Sequence, residues 1–144
     1  MARGLENVGK LQKRLRALRS RKAEKLLEGA LHAGADMIAS EAKHSITRNS
    51  TSGQVGGKHQ HVRSLPGQAP NNEFGDLAGG IEVNPGGPLE YVVTAEAAHS
   101  VPLEFGTSKM SARPFFRPAR DKKRREAKKL WRDTVERILK GAAD

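Results

Sequence analysis

The sequence predicts an α+β fold, in which a small antiparallel sheet of three to four strands is packed by a long N-terminal helix and a basic C-terminal helix. Apolar residues three or four positions apart predict the helices, one before residue 46 and one after residue 118. Between them, apolar and polar residues alternate around a turn rich in glycine and proline, which predicts strands. With 144 residues, the chain is expected to form a single domain over residues 1–144.

The first 46 residues contain two sets of apolar positions at helical spacing. The first set predicts an N-terminal arm or short helix over residues 1–19, and the second predicts a helix over residues 20–46. Ser20 lies at the break between the sets, and serine is a favoured N-cap residue. We therefore expect Ser20 to begin the long helix.

Residues 47–72 contain four glycines and two prolines and show no apolar periodicity. This composition predicts a long flexible loop, ordered, if at all, by a neighbouring molecule. The loop contains His59 and His61, which could supply two metal ligands, but a zinc site needs three or four and the chain has no cysteine. We expect no metal site and no cofactor.

Residues 77–105 are predicted to form antiparallel strands. Apolar and polar residues alternate on both sides of the turn at residues 84–88, which is the pattern of a hairpin. The segment Ser100–Phe105 predicts a third strand, and Pro102 places that strand at the edge of the sheet.

The last helix is predicted over residues 118–140, with Pro118 at its first position. Its first turns are rich in cations, which oppose the helix dipole at a cost of about 0.3–1 kcal/mol each. Asp121 offsets only part of this cost. These turns either form a solvated surface or face phosphate or an acidic surface of another subunit. The candidates for such contacts are Arg113, Arg117, Arg120, Lys122, Lys123, Arg124 and Arg125.

The composition limits what the chain can bury and where it can function. Leu, Ile, Val and Phe together number 29, which is few for a chain with a net charge of +10. A thin core of this kind would benefit from oligomerisation or from a charged partner. No apolar run has the length of a signal peptide or a membrane span, so we expect a soluble intracellular product without membrane contact.

The charge is distributed unevenly along the chain. The net charge is +5 over residues 1–46, −2 over residues 47–110 and +7 over residues 111–144. A uniformly basic nucleic-acid coat protein would not need this asymmetry.

Candidate catalytic patterns are weak. The Gly56-Gly57-Lys58 segment lacks both the first glycine and the Ser or Thr of a phosphate-binding loop. Glu73 and Asp76 have no base, nucleophile or oxyanion donor beside them. We therefore expect a protein without catalytic activity.

Three phenylalanines lie within twelve positions, at Phe105, Phe115 and Phe116. Neighbouring side chains of an extended segment point in opposite directions. Phe115 and Phe116 are therefore not expected to enter the same core, and one of them is a candidate anchor in a subunit interface.

The stretch VPLEFGTSKMSARPFFRPA at residues 101–119 resembles the tail-completion or head-tail joining proteins of long-tailed bacteriophages, the gene-product-ten class. That family typically shows Glu-Phe-Gly-Thr, a short loop, and Ala-x-Pro-Phe-x-x-Pro-Ala at the start of the last helix. A second similarity is the PGQAP segment at residues 66–70, followed by GDL at residues 75–77.

The resemblance implies a structural subunit of the virion, assembled in the host cytoplasm, that forms a homo-oligomeric ring of six copies at the head-tail junction. The partners would be the adjacent neck or connector proteins, the tail-tube proteins and the passing double-stranded DNA, contacted without sequence specificity. Whether the ring completes the tail or the head stays open. The subunit-interface candidates that follow are Glu104, Phe105, Gly106, Thr107, Pro114, Phe115, Phe116 and Pro118.

Two other functions are compatible with parts of the sequence. The basic charge and the low aromatic content also fit a nucleic-acid-binding module of the ribosomal-protein type, which predicts tight, strongly salt-dependent binding to free DNA or RNA. A small nuclease would rest only on scattered His, Glu and Asp residues.

Overall fold

The computed structural model describes residues 2–48, 53–56, 61–71 and 75–142. In chain order the elements are α1 (Ala2–Leu18), α2 (Arg21–Arg48), β1 (Gly53–Gly56), β2 (His61–Ser64), α3 (Asp76–Gly79), β3 (Ile81–Gly87), β4 (Glu90–Ala95), α4 (Ser100–Phe105) and α5 (Phe116–Gly141). Among the described residues, no helix is both long enough and apolar enough to cross a membrane.

Helices α2 and α5 pack against each other in antiparallel orientation. Glu41 pairs with Lys122, and seven residues earlier on α2 Gly34 lies against Ala127, which is five residues later on α5. A Cβ at Gly34 would be 3.2 Å from the Cβ of Ala127, so the glycine permits a close approach of the two helices. The prediction of a long N-terminal helix and a basic C-terminal helix is confirmed.

Ser20 begins α2, as the sequence predicts. Its hydroxyl oxygen accepts a hydrogen bond from the backbone N–H of Ala23, at 3.1 Å. This is the bond that an N-cap residue makes to the third residue of a helix. On the other side of Ser20, residues 7–16 of α1 are exposed while Ala17 and Leu18 are half-buried, so the end of α1 packs against the rest of the chain.

The core lies where α2, α3, β3 and the start of α5 meet. Its largest fully buried side chains are Phe115, Ile46 and Ile81. Small residues complete it, and partly buried side chains of β3, β4 and α4 pack around it. The buried members of the cluster are Ala39, Ala42, Ile46, Ala69, Leu77, Ile81, Phe115 and Ala119.

The prediction of a sheet of three to four strands is wrong. The described residues form two separate antiparallel sheets of two strands each, β1 with β2 and β3 with β4. The hairpin of β3 and β4 corresponds to the alternating pattern in the sequence, with Ile81 opposite Ala95 and Val83 opposite Val93.

The predicted third strand at Ser100–Phe105 is also wrong, because this segment forms α4. Pro102 occupies the third position of α4, where a helix does not use the N–H that proline lacks. The carbonyl of Pro102 accepts a hydrogen bond of 2.8 Å from the N–H of Gly106, which ends the helix. Proline therefore fits this short helix at least as well as it fits an edge strand.

The prediction that residues 47–72 form a loop throughout is wrong for the two segments that form β1 and β2. These strands pair in antiparallel register, with Gly53 opposite Ser64 and Gly56 opposite His61. Residues 49–52, 57–60 and 72 lie outside the described part of the chain. The remainder, residues 65–71, is tied to the segment before α5, because the N–H of Gly67 donates to the carbonyl of Ala112 at 3.0 Å.

The turn between β3 and β4 holds Leu89 at a φ of 55°, in the left-handed region. A side chain raises the free energy of this conformation by about 1–2 kcal/mol, and glycine avoids this cost while adding entropy to the unfolded chain. We expect Leu89→Gly to raise the free energy of unfolding by about 0.5–1 kcal/mol in urea titrations. Leu65→Gly is the control, since Leu65 is similarly exposed but has negative φ, and it should lower stability. A destabilising Leu89→Gly would contradict the expectation.

Candidate assembly surface

Glu104 caps the N-terminus of α5, although the two lie in different elements. Its Oε2 accepts hydrogen bonds from the N–H groups of Phe115 and Phe116, both at 2.9 Å, and its Oε1 accepts one from Arg117 at 2.8 Å. The next residue, Pro118, has no N–H. The four N–H groups that a helix start leaves without internal partners are therefore all accounted for, and the carboxylate also interacts favourably with the helix dipole.

This arrangement corrects the predicted start of the last helix. The helix begins at Phe116, two residues earlier than predicted, and Pro118 takes its third position rather than its first. The carboxylate that offsets the cationic first turns is Glu104, since Asp121 lies one turn later and pairs with Arg120 at 2.8 Å. Sequence analysis missed this role because Glu104 is 11 to 13 residues from the groups it binds.

Gly106 makes the chain turn back so that α4 and α5 can meet. Its φ of 76° and ψ of 177° belong to a region that is essentially restricted to glycine. A Cβ at this position would lie 2.9 Å from the backbone N of Ala112 and from the backbone O of Met110. The short turn that follows is held by Thr107 and Met110, whose backbone groups bond to each other in both directions.

The three clustered phenylalanines have different environments. Phe115 is 1% exposed and lies in the core, while Phe116 is partly buried and packs against the same core. Their rings meet edge to face, with centroids 6.0 Å apart. The expectation that they could not share a core is wrong, because the chain passes from extended to helical between them and the side chains do not point in opposite directions.

Phe115 consequently has no exposed surface with which to contact a partner, so it is a core residue and the expectation of an interface role for it is wrong. Phe105 is the opposite case, with 76% of its surface exposed. Val101, one helical turn before it on α4, is 63% exposed. Together with exposed Pro118, these residues form an uncovered apolar patch.

Two apolar cavities extend from this patch along β4. The first has a volume of about 620 Å³ and lies between β4, α4 and the start of α5, where Pro114 lines it. The second, also about 620 Å³, lies between β4, α2 and α5, where Leu31, Tyr91 and Trp131 line it. Val93 borders both cavities. We call the two cavities together the β4 groove.

The sequence does not indicate that Tyr91 and Trp131 line a common groove. The helical spacing of α5 groups Trp131 with the other apolar residues of the helix, yet it is 43% exposed. Only the position of β4 relative to α5 decides this exposure, and no local sequence signal carries that information.

The predicted cationic candidates do not form one cluster. Arg113 has an internal role, since its Nε donates to the carbonyl of Ser64 at 3.0 Å. Three others pair with carboxylates: Arg120 with Asp121, Lys122 with Glu41 and Lys123 with Glu126. The remaining three are exposed and make no ion pair within the described ranges; these are Arg117, Arg124 and Arg125.

A continuous basic face nevertheless runs along α5. Arg125, Lys128 and Arg132 are exposed and follow each other at intervals of three and four residues, which places them on one side of the helix. We call these three residues the α5 basic face. Lys128 and Arg132 also border the β4 groove.

The ion pair between Lys122 and Glu41 links the two long helices and predicts a pH effect. The Nζ of Lys122 lies 2.6 Å from Oε1 of Glu41, and this hydrogen bond lowers the pKa of Glu41 below its ordinary value of 4.5. The pair's stabilisation is therefore present above the unfolded-state pKa and is lost as the pH falls through the lower folded-state value.

We expect Lys122→Met to reduce the free energy of unfolding at pH 7 by less than about 1 kcal/mol, since the Lys122 side chain is 60% exposed and water screens its charge. At about pH 3 the difference from the unmodified protein should shrink, and urea titrations at both pH values measure it. Lys109→Met is the control, because Lys109 is exposed and outside every described ion pair. A difference that stays the same at both pH values would contradict this account.

Within the part of the chain that is described, no three His, Asp or Glu side chains lie close enough to hold a metal ion. His59 is outside this part, so the predicted absence of a metal site at His59 and His61 stays a prediction.

Comparison with known proteins gives one match. Residues 9–106 match the family model HK97-gp10_like, described as "Bacteriophage HK97-gp10, putative tail-component". No curated protein and no solved structure matches the chain. The matched range includes most of α1, all of α2 and the elements up to Gly106, so it ends just after the residue that caps α5.

Proposed function

We propose, because this chain belongs to the HK97-gp10-like family of bacteriophage tail components, that copies of it form a closed ring of six subunits at the junction of head and tail. As a member of this family, it is a structural protein of the virion that interacts with other phage tail or neck proteins. The ring joins the tail to the DNA-filled capsid.

Exposed apolar side chains support self-association. Phe105 and Val101 extend from α4, and Trp131 borders the β4 groove on another part of the surface. Exposed apolar surface is unfavourable in water, and a chain with a small core has little burial elsewhere to compensate for it. Contact with neighbouring copies would bury this surface. Different surfaces would meet in such a contact, and contacts of this head-to-tail kind close into a ring when the rotation between copies permits.

Glu104, Gly106 and Thr107 support the ring in a different way. They hold α4 against the start of α5 and so fix the direction in which Phe105 and Pro118 are presented. Phe105 is the side chain that we propose as the interface anchor, with Pro114 and Phe116 lining the cavity beside it.

The α5 basic face supports contact with the duplex that passes through the ring. Such contact needs only phosphate attraction and no base recognition. We expect replacement of Arg125, Lys128 and Arg132 by glutamine to reduce the slope of log affinity against log salt by about 0.9 for each lost phosphate contact.

Fluorescence anisotropy with a labelled duplex, at several salt concentrations, measures this slope. Lys109→Gln is the control, since Lys109 is an equally exposed cation outside α5. An unchanged slope in the triple variant would mean that this face does not bind DNA. Tight, salt-dependent binding by single copies that never assemble would instead favour the nucleic-acid-binding module.

A phage that cannot make this protein tests the proposed function. Electron micrographs of the lysate should show DNA-filled heads and free tails side by side, and adding the purified protein should restore joined particles. Complete, infectious particles without the protein would exclude the proposed role at the junction.

A further inference from the structure

The outer edge of β4 carries backbone groups without partners in the described part of the chain. The N–H of Glu96 donates to the carbonyl of Gly80 at 2.8 Å. Backbone groups of an antiparallel strand face the same neighbour at every second residue, so the N–H groups of Val92 and Thr94 also face β3. Those of Tyr91 and Val93 consequently face the opposite edge, towards the β4 groove.

Ala95 confirms this direction. Its carbonyl points away from β3 and accepts a hydrogen bond from the hydroxyl of Ser100, at 2.8 Å. Ser100 thus covers one end of the edge and leaves Tyr91 and Val93 as its open part. Both border the β4 groove.

The other edge of the same sheet is protected. Pro85 lies opposite Tyr91 in the register, so its position on β3 faces outward, where a proline cannot donate a hydrogen bond to an added strand. The strand is also irregular between Pro85 and Gly87. Proline and bulges are devices that prevent strand addition, and β4 contains neither.

The same chain contains an unsupported strand pair. Among the described elements, β1 and β2 pack extensively only on each other. An isolated two-stranded hairpin is marginally stable in water at best. At the base of β2, the side chain of Arg113 donates to the carbonyl of Ser64 and ties β2 to the segment before α5, so we take β1 as the strand that pairs with a neighbouring copy.

We propose that β1 of one copy pairs with the open edge of β4 in the next copy, so that the two hairpins form a continuous sheet across the subunit boundary. This inference rests on the proposed self-assembly and names the contact that produces it. Strand addition of this kind gains affinity from backbone hydrogen bonds and specificity from the pockets beside the edge.

Length and charge favour the hairpin as the occupant. Four residues of β1 span about 10 Å from the first Cα to the last, which is enough to pair with the open part of β4 at Tyr91 and Val93. The hairpin strands include His61 and Arg63 and no acidic residue, and exposed Glu90 and Glu96 lie at the two ends of β4. Lys128 and Arg132 border the groove on the α5 side, so the charges are complementary at the ends of β4 only. Donor and acceptor are different surfaces of one chain, so the contact is head-to-tail.

Disulfide trapping between two single-cysteine variants tests the pairing, because the natural chain has no cysteine. One copy carries Val92→Cys, and the other carries either Gln54→Cys or Val55→Cys. Neighbouring residues of a strand face opposite sides of a sheet. We therefore expect one of these two positions to give a linked dimer in at least about tenfold greater yield than the other, the alternation that paired strands produce.

Asn84→Cys is the matched control for Val92→Cys. Asn84 is opposite Val92 on β3 and similarly exposed, but it lies one strand further from the open edge. The pairing would be overturned if Asn84→Cys gave as much linked dimer as Val92→Cys. It would also be overturned if neither variant gave linked dimer. If a helix such as α1 occupied the groove instead, linkage would appear from α1 cysteines and not from β1.

A second variant separates this inference from the proposed function. Residues 53–64 are replaced by a Gly-Ser segment of equal length, and native mass spectrometry compares its assembly with that of the unmodified protein. We expect this variant to lose assembly while its helical circular dichroism signal stays unchanged. Assembly that persists would overturn the strand pairing but would leave the proposed ring unaffected. An unmodified protein that stays monomeric would overturn the ring itself.

Discussion

Glu104→Ala should lower the free energy of unfolding by about 2–4 kcal/mol, because it removes the acceptor for three backbone N–H groups at the start of α5. The loss exceeds that of an ordinary N-cap, since one carboxylate here replaces three separate partners and also compensates the cations of the first turns. The N–H groups of Phe115 and Phe116 are partly buried, so water replaces the carboxylate only in part.

Urea titration measures this loss, with two variants for comparison. Glu104→Gln keeps one carbonyl oxygen without the charge, and we expect it to lose about half as much stability as alanine. Glu126→Ala removes an exposed carboxylate of α5 whose one partner among the described residues is Lys123, and it should change stability by less than about 0.5 kcal/mol. A Glu104→Ala loss as small as that of Glu126→Ala would show that the cap does not stabilise α5.

Gly106→Ala should lower the free energy of unfolding by about 3 kcal/mol or more. The backbone conformation of Gly106 costs a non-glycine residue about 1–3 kcal/mol. The added Cβ would also meet backbone atoms of Ala112 and Met110 at 2.9 Å, and backbone atoms cannot move aside as a flexible side chain can. The turn that brings Glu104 to α5 would then be distorted as well.

Gly29→Ala is the control for this second effect and should act in the opposite direction. Gly29 lies inside α2, and a Cβ there would meet nothing within 4 Å. Alanine in a helix interior is favoured over glycine by about 0.5–1 kcal/mol. Thermal unfolding that ranks Gly29→Ala as more stable and Gly106→Ala as least stable would agree with the structure, and equal midpoints would contradict it.

The long elements were accessible from sequence because their signals are local and repeated. The apolar spacing of α2 and α5 extends over many turns, and Ser20 adds a cap at the expected place. The hairpin of β3 and β4 likewise combines alternation with a strong turn. A short segment has no such repeated pattern. The prediction of a strand at Ser100–Phe105 rested on one proline, which is equally compatible with an edge strand and with the first turn of a helix.

The assembly surface was only partly accessible for a related reason. The motif around Glu104 and Phe115 was recognised, but the roles of its members were not, because they depend on contacts between residues distant in sequence. Phe115 is buried in the core and Phe105 is exposed, although each is a phenylalanine next to a proline or a glycine in the sequence. Whether the outer edge of β4 is covered depends on where β3, α2 and α5 lie in the fold, and the local sequence of β4 does not contain that information.

Cryo-electron microscopy of the neck of intact phage particles tests the central claim most directly. A map of the head-tail junction should contain a closed ring of this chain around the DNA, with Phe105 covered by a neighbouring copy. Density at the junction that holds no copy of this chain, or only single copies with Phe105 facing solvent, would contradict the claim.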